Sequence, residues 1–212
     1  AEVKAQFKSD VMKVAYLAHR TRPDILLACT FLASQMERTT TKSIKDLYRV
    51  VMYLKGSRGR GLRYQKVEDP RILFFVDAAY ACHEDAKGHT GAVGCVGNLS
   101  KERTPLNLIF SRSTKQKLVS RSSTESELVA VHEIYPKVNW LKNLLDEMMD
   151  QNMGAPILYQ DNLSAIVSAS SGVKRFSPMA HVNVRFFAIR QELDKGNIEM
   201  PHLPTELMLS DS

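Results

Sequence analysis

The sequence predicts an α/β domain, a mixed sheet with helices packed on it, preceded by a mainly helical, basic segment. Three observations carry that prediction. The first third of the chain has apolar residues at helical spacing and no strand-like run. The remainder interleaves short apolar runs with helical stretches, the order expected of a mixed sheet. The two parts also differ in charge. Residues 1–70 hold 14 Lys+Arg and 7 Asp+Glu, whereas residues 71–212 hold 15 and 16.

An apolar content of 44% and a charged content of 25% in 212 residues suit one large domain, or a small one with an appendage. No apolar run approaches the ~18–20 residues of a membrane span, and there is no secretory leader pattern. Cys29, Cys82 and Cys95 have neither an even count nor metal-ligand spacing, so three reduced thiols in an intracellular protein are expected.

Residues 7–21 and 24–36 read as helices, with Pro23 as a break or first-turn residue and Asp24 near the new N-terminus. A third helix is expected over 41–55, from Thr41 to the Lys55-Gly56 stop. Its face is Ile44, Leu47, Val50, Val51 and Leu54. Lys55-Gly56-Ser57-Arg58-Gly59-Arg60-Gly61-Leu62-Arg63 follows, and clustered cations beside glycines suit a polyanion such as nucleic acid. Glu68-Asp69-Pro70 marks the expected domain boundary, giving segments 1–70 and 71–212.

Ile72-Leu73-Phe74-Phe75-Val76 is a central-strand run that ends at Asp77. Residues 91–97 and 106–110 are two more strands. A long helix is expected over 123–150 with the stripe Leu128, Val131, Ile134, Val138, Leu141 and Leu145, kinked or broken at Pro136. Ile157-Leu158-Tyr159-Gln160 is a short strand ending on Asp161. Helices over 162–170 and 181–195, the second stopped by Gly196, and a last strand at Ile198-Glu199-Met200 complete the pattern.

An aspartate after a strand is most often a turn former or cap. Two of them plus a glutamate early in the long helix suggest more, because gathered carboxylates repel unless a hard cation neutralises them. Mg²⁺ prefers such oxygen ligands, and a pair of ions serves phosphodiester hydrolysis.

In this order, FFVDAAY, FSRSTKQKLVSRSSTESELVAVHE, LYQDNLSAI, HVNVRFFAIRQEL and HLPTELMLSD resemble the ribonuclease H domain in the C-terminal part of the Pol polyprotein of copia-type LTR retrotransposons. YLAHRTRPDILLA and VMYLKGSRGRGLRY resemble the connection segment that leads into it from the reverse transcriptase. No YxDD polymerase motif is present, so DNA synthesis is not expected. The resemblance implies a ribonuclease H-like mixed five-stranded sheet with flanking helices. It also implies an Asp-Glu-Asp-Asp site for two Mg²⁺ ions, Mn²⁺ being a substitute. The carried-over carboxylates are Asp77, Glu127, Asp161 and Asp211.

Two glutamates compete for the helix position. The E-L-x-A string of the related domains matches Glu127-Leu128-Val129-Ala130. Periodicity agrees, because Glu127 lies four residues before Val131 and seven before Ile134, in line with the buried stripe. Glu125 sits three residues after Ser122, as in a capping box, where the helix dipole favours its charge.

Hybrid recognition needs groups that read 2′-hydroxyls and phosphates. Ser122, Ser123 and Asn162 are the candidates for the first, and Lys115, Lys117 and Arg121 for the second. His202, nine residues before Asp211, is a candidate for assisting product release. The chain departs from the family at Leu163, where a glutamine is usual, at Asn183, where an aspartate is usual, and in a final helix expected after Asp211.

The function expected is metal-dependent hydrolysis of the RNA strand of RNA/DNA hybrids, within a reverse transcriptase polyprotein. That places the chain in the cytoplasmic particle of a retroelement or in the nucleus, with the hybrid and the rest of the polyprotein as partners and no membrane. The alternative is a weak or inactive module of the same fold that binds nucleic acid or serves as a scaffold. A transposase or integrase of this fold fits the helix glutamate and the C-terminal aspartate less well.

Overall fold

The computed structural model describes residues 2–99, 105–171 and 180–211, apart from the side chains of 171, 180–184, 186 and 211. The chain divides into two compact units, 1–63 and 64–212. The division lies seven residues before the expected one, after Pro70. Gln65 explains it: its backbone N–H donates to Asn107 Oδ1 at 2.9 Å and its carbonyl accepts from Asn107 Nδ2 at 2.7 Å. Residue 65 is thereby tied to the start of a strand in the second unit.

The first unit comprises α1 (Glu2–Arg20), a 3₁₀ turn at Pro23–Ile25, α2 (Leu26–Ser34) and α3 (Thr41–Gly56). Phe7, Val11, Val14 and Ala18 recur at spacings of four and three, and they bury a stripe against Ile25, Leu26, Cys29, Leu32 and Leu47. In α3 the inward face is Ser43, Leu47, Val50 and Leu54, while Ile44 and Val51 are exposed. The capping box at the helix start sets this rotation. Thr40 Oγ1 accepts from Ser43 N, and Ser43 Oγ accepts from Thr40 N, which carries Ser43 inside. Arg22 is buried at the loop before α2, where Asp24 and the carbonyl and hydroxyl of Ser57 take its guanidinium protons.

The second unit is built on β1 (Arg71–Ala79), whose residues Ile72–Val76 are all buried. β2 (His89–Gly97) pairs with it antiparallel and β3 (Asn107–Lys115) pairs antiparallel with β2. β4 (Ile157–Tyr159) pairs parallel with β1, giving the order β3-β2-β1-β4. Alternation along β1 sends Ile72, Phe74, Val76 and Ala78 to one face. There they join Leu128, Val131, Ile134, Val138 and Leu141 of α4 (Ser123–Met149), with residues of α5 (Leu163–Ser171) and α6 (Ala180–Asp194). Leu73 and Phe75 join Cys95 and Met208 on the other. This is the mixed sheet with flanking helices that the ribonuclease H resemblance implies.

Two expectations are corrected. Of the kink or break expected at Pro136, the break does not occur: α4 runs through it, with Ile134 and Val138 on either side both fully buried against the sheet. The sheet has four strands, and the fifth is reduced to isolated parallel bridges, Ile157↔Glu199 and Gln160↔His202. The segment does hydrogen-bond along β4, through Glu199 N to Pro156 O, Leu158 N to Glu199 O, Gln160 N to Pro201 O and Leu203 N to Gln160 O. Pro201 has no N–H to donate in the middle of this ladder, and the strand is interrupted there. α6 stops at Gly196, with φ +70°, as its sequence predicts.

Candidate active site

Parallel pairing sets the first two carboxylates side by side. Leu73, Phe74 and Phe75 stand level with Ile157, Leu158 and Tyr159. Two residues further along each chain are Asp77 and Asp161, on the sheet face where the Phe75 and Tyr159 rings stack at 5.2 Å. α4 adds Glu127, its fifth residue. One carboxylate oxygen from each of Asp77, Glu127 and Asp161 lies within 4.8 Å of the others.

Helix phase separates the two glutamates. Ser122 caps α4 by accepting from Glu125 N at 3.1 Å, and Glu125 Oε2 accepts from Arg121 N at 2.7 Å. The return bond of the capping box thus goes to the residue before the cap. Glu127, two positions on, is also buried but joins the aspartates. Burial pushes its carboxyl up to about 9, and the charge of Asp77 adds to the effect. Gln160 and the Ala78 backbone pull it down by hydrogen bonding, while Asp161 raises it further.

Asp161 is half-buried and Thr205 Oγ1 donates to its Oδ2 at 2.8 Å. Buried Gln160 donates to Glu127 Oε2 at 3.2 Å and accepts from Asp161 N at 2.9 Å. The motifs single out neither Gln160 nor Thr205. In sequence Gln160 reads only as the end of a strand, and Thr205 lies 44 residues from the carboxylate it serves.

The fourth carboxylate, Asp211, closes the 3₁₀ turn Leu209–Asp211, and its side chain lies outside the described residues. The turn's backbone rests on the site. A Cβ placed on Gly91, the β2 partner of Asp77, would stand 3.2 Å from Ser210 O. Buried Met208 anchors the approach to this turn against Leu73, Phe75 and Cys95.

The remaining candidates are placed as follows. His202 is exposed on the edge segment beside Gln160 and is not among the clustered ligand groups. Ser122 and Ser123 are exposed at the start of α4, and Asn162 Oδ1 accepts from Ala165 N, capping α5. Lys117 and Arg121 are exposed, whereas Lys115 pairs with Asp85 at 2.7 Å. Leu163 is 60% exposed at the start of α5, two residues from Asp161. The side chain of Asn183 lies outside the described residues.

Comparison with known proteins bears on what such a site belongs to. The chain is 29% identical over 208 residues to the retrovirus-related Pol polyprotein from transposon RE1 of Arabidopsis thaliana, covering 98% of this chain and 14% of that one. It is 26% identical over 202 residues to the corresponding polyprotein from transposon TNT 1-94 of Nicotiana tabacum, covering 95% and 14%. The chain is homologous to retrovirus-related Pol polyproteins. It spans about a seventh of the length of these relatives. Among solved structures, LC11-RNase H1, isolated from compost, is similar at 14% identity, with a TM-score of 0.44, over 66% of this chain and 90% of that one. No family model matches the chain.

Proposed function

We propose that the chain is the ribonuclease H module of a retroelement reverse transcriptase and hydrolyses the RNA strand of RNA/DNA hybrids. The observation that carries this reading is the convergence of Asp77, Glu127 and Asp161 within 4.8 Å in a homologue of Pol polyproteins. On this reading residues 1–70 are a connection-like part of the polyprotein and 71–212 the catalytic part. Its place of action is the element's cytoplasmic particle or the nucleus.

The donor set fits a hard divalent cation. All three groups are carboxylates, and burial with mutual repulsion lifts Glu127 to about 9, a cost that a bound cation offsets. Asp77, Glu127 and Asp161 would hold Mg²⁺ or Mn²⁺, with Asp211 as the fourth ligand. Bound there, two such ions supply Lewis acidity to an attacking water and to the departing oxygen of a phosphodiester.

The chain's own groups then select and orient the substrate. Ser122 and Ser123 stand exposed at the start of α4, and with Asn162 they face the ribose hydroxyls that mark RNA. Lys117 and Arg121 take phosphates; Lys115 contributes once released from Asp85. His202 assists product release from the exposed edge. The basic first unit extends the grip along the duplex, so binding weakens steeply with salt.

The deciding experiment incubates end-labelled RNA/DNA hybrid, duplex DNA and duplex RNA with the chain and Mg²⁺ or Mn²⁺. Cleavage of hybrid RNA alone, lost in Asp77→Asn, is the expected result. Hybrid binding without metal-dependent cleavage would support the scaffold alternative instead.

A further inference from the structure

We propose that Gln160 is a positioning residue that ties Glu127 to Asp161 and so sets the spacing of the two carboxylates for metal binding. The proposal rests on the reading that the carboxylate cluster holds divalent cations. Gln160 is fully buried, at 0% exposure, and every polar group it has is engaged. Its backbone N–H donates to Pro201 O at 3.3 Å and its carbonyl accepts from Leu203 N at 3.0 Å, so the main chain is held on the edge segment. Its side-chain Oε1 accepts from Asp161 N at 2.9 Å and from Asn162 N at 3.5 Å.

Those backbone donors fix the amide's orientation, because only the oxygen can accept from an N–H. The Nε2 group must then face Glu127, and it donates to Oε2 at 3.2 Å. One planar amide therefore spans the end of β4 and the N-terminal part of α4. The two elements lie 33 residues apart in sequence at this contact. The bond also occupies one oxygen of Glu127 with a donor and biases which side of that carboxylate is offered to a cation. Thr205, donating to Asp161 Oδ2 at 2.8 Å, braces the other partner from the edge segment. The carboxamide offers both the acceptor that the Asp161 backbone needs and the donor that a carboxylate needs, and it carries no charge.

The test titrates Mn²⁺ into the full chain by calorimetry, for wild type, Gln160→Met, Asp77→Asn and the core control Ile134→Val. Methionine keeps the volume and removes the amide. The expected result is that Gln160→Met, folded by circular dichroism, binds Mn²⁺ about 10-fold or more weakly, while Ile134→Val binds like wild type despite lower stability. Hybrid cleavage by Gln160→Met should recover on raising Mn²⁺ by the same factor, which a purely structural defect would not allow. Affinity of Gln160→Met within twofold of wild type overturns the proposal and leaves the metal reading intact. Wild type that takes up no Mn²⁺, or takes it up equally in Asp77→Asn, overturns the metal reading and the proposal with it. Should Gln160→Met not fold, the wild-type carboxamide ¹⁵N–¹H signals of Gln160 decide. They should move along one saturation curve with added Mg²⁺, and signals that stay in place overturn the proposal.

Discussion

Glu125 Oε2 accepts the backbone N–H of Arg121 at 2.7 Å, closing the N-terminus of α4 two residues before Glu127 joins the aspartates. Two acids separated by one residue therefore have different work, Glu125 at the helix end and Glu127 in the carboxylate cluster. Replacing Glu125 by alanine should lower stability by about 0.5–2 kcal/mol, read from urea unfolding. Mn²⁺ binding should persist. A dead Glu125→Gln beside an active Glu127→Gln would show that Glu125, not Glu127, is the metal-holding carboxylate.

The Glu127 carboxyl, ordinarily near 4.5, stands at about 9 in the folded, metal-free protein. The folded state therefore holds a proton that the unfolded chain has already released. This contribution to stability is fully present below about pH 4.5 and is lost as pH rises to about 9, with a slope of at most about 1.4 kcal/mol per pH unit. In EDTA, unfolding midpoints of wild type should fall between pH 5 and pH 8 more than those of Glu127→Gln. Metal must displace the proton, so Mn²⁺ affinity should increase over the same interval. Cleavage of hybrid should be abolished in Glu127→Gln.

Gly88 is hemmed in where β2 approaches α4. A Cβ there would stand 2.5 Å from Gln116 Oε1, 2.6 Å from Ser126 Oγ and 3.0 Å from Ala79 O. Gln116 is itself buried and bonded to Thr90, to Ser126 O and, through its N–H, to Gly88 O. Alanine at 88 must push this network apart and should cost about 1–3 kcal/mol. Thermal unfolding would show the loss, and an unchanged Tm would contradict the packing described.

Pro136 is exposed on α4 and denies the helix its bond to the carbonyl of residue 132. Alanine there restores the donor and relieves the ring's clash, so stability should rise by about 1–3 kcal/mol. Chemical denaturation of Pro136→Ala checks this, and a decrease would mean that the proline's shape is used by the surrounding packing.

Much of the second unit was legible because its local patterns are strong. The unbroken, aromatic-rich run Ile72–Val76 reads as a strand buried on both faces, and β1 is one of the sheet's two inner strands. Periodicity in α4 placed Glu127 on the buried stripe and Glu125 elsewhere, since 3.6 residues per turn leaves no freedom over so short a distance. The face of α3 was less legible. Two overlapping apolar rows run along it, and the Thr40–Ser43 capping box, a local feature, decided for Ser43 and Leu47 over Ile44 and Val51.

By itself the sequence determined most of the strands and helices, and that Asp77 and Asp161 lie at or near strand ends, since periodicity and turn chemistry act over a few residues; β1 runs two residues past Asp77, to Ala79. Only the tertiary structure decided that Asp77 and Asp161 stand level, because the parallel register of β1 and β4 pairs residues 84 positions apart. It also decided that Gln160 and Thr205 support those carboxylates and that Pro201 interrupts the edge strand. Hydrogen bonds across such separations depend on packing that brings distant backbone together, and no local spacing encodes them.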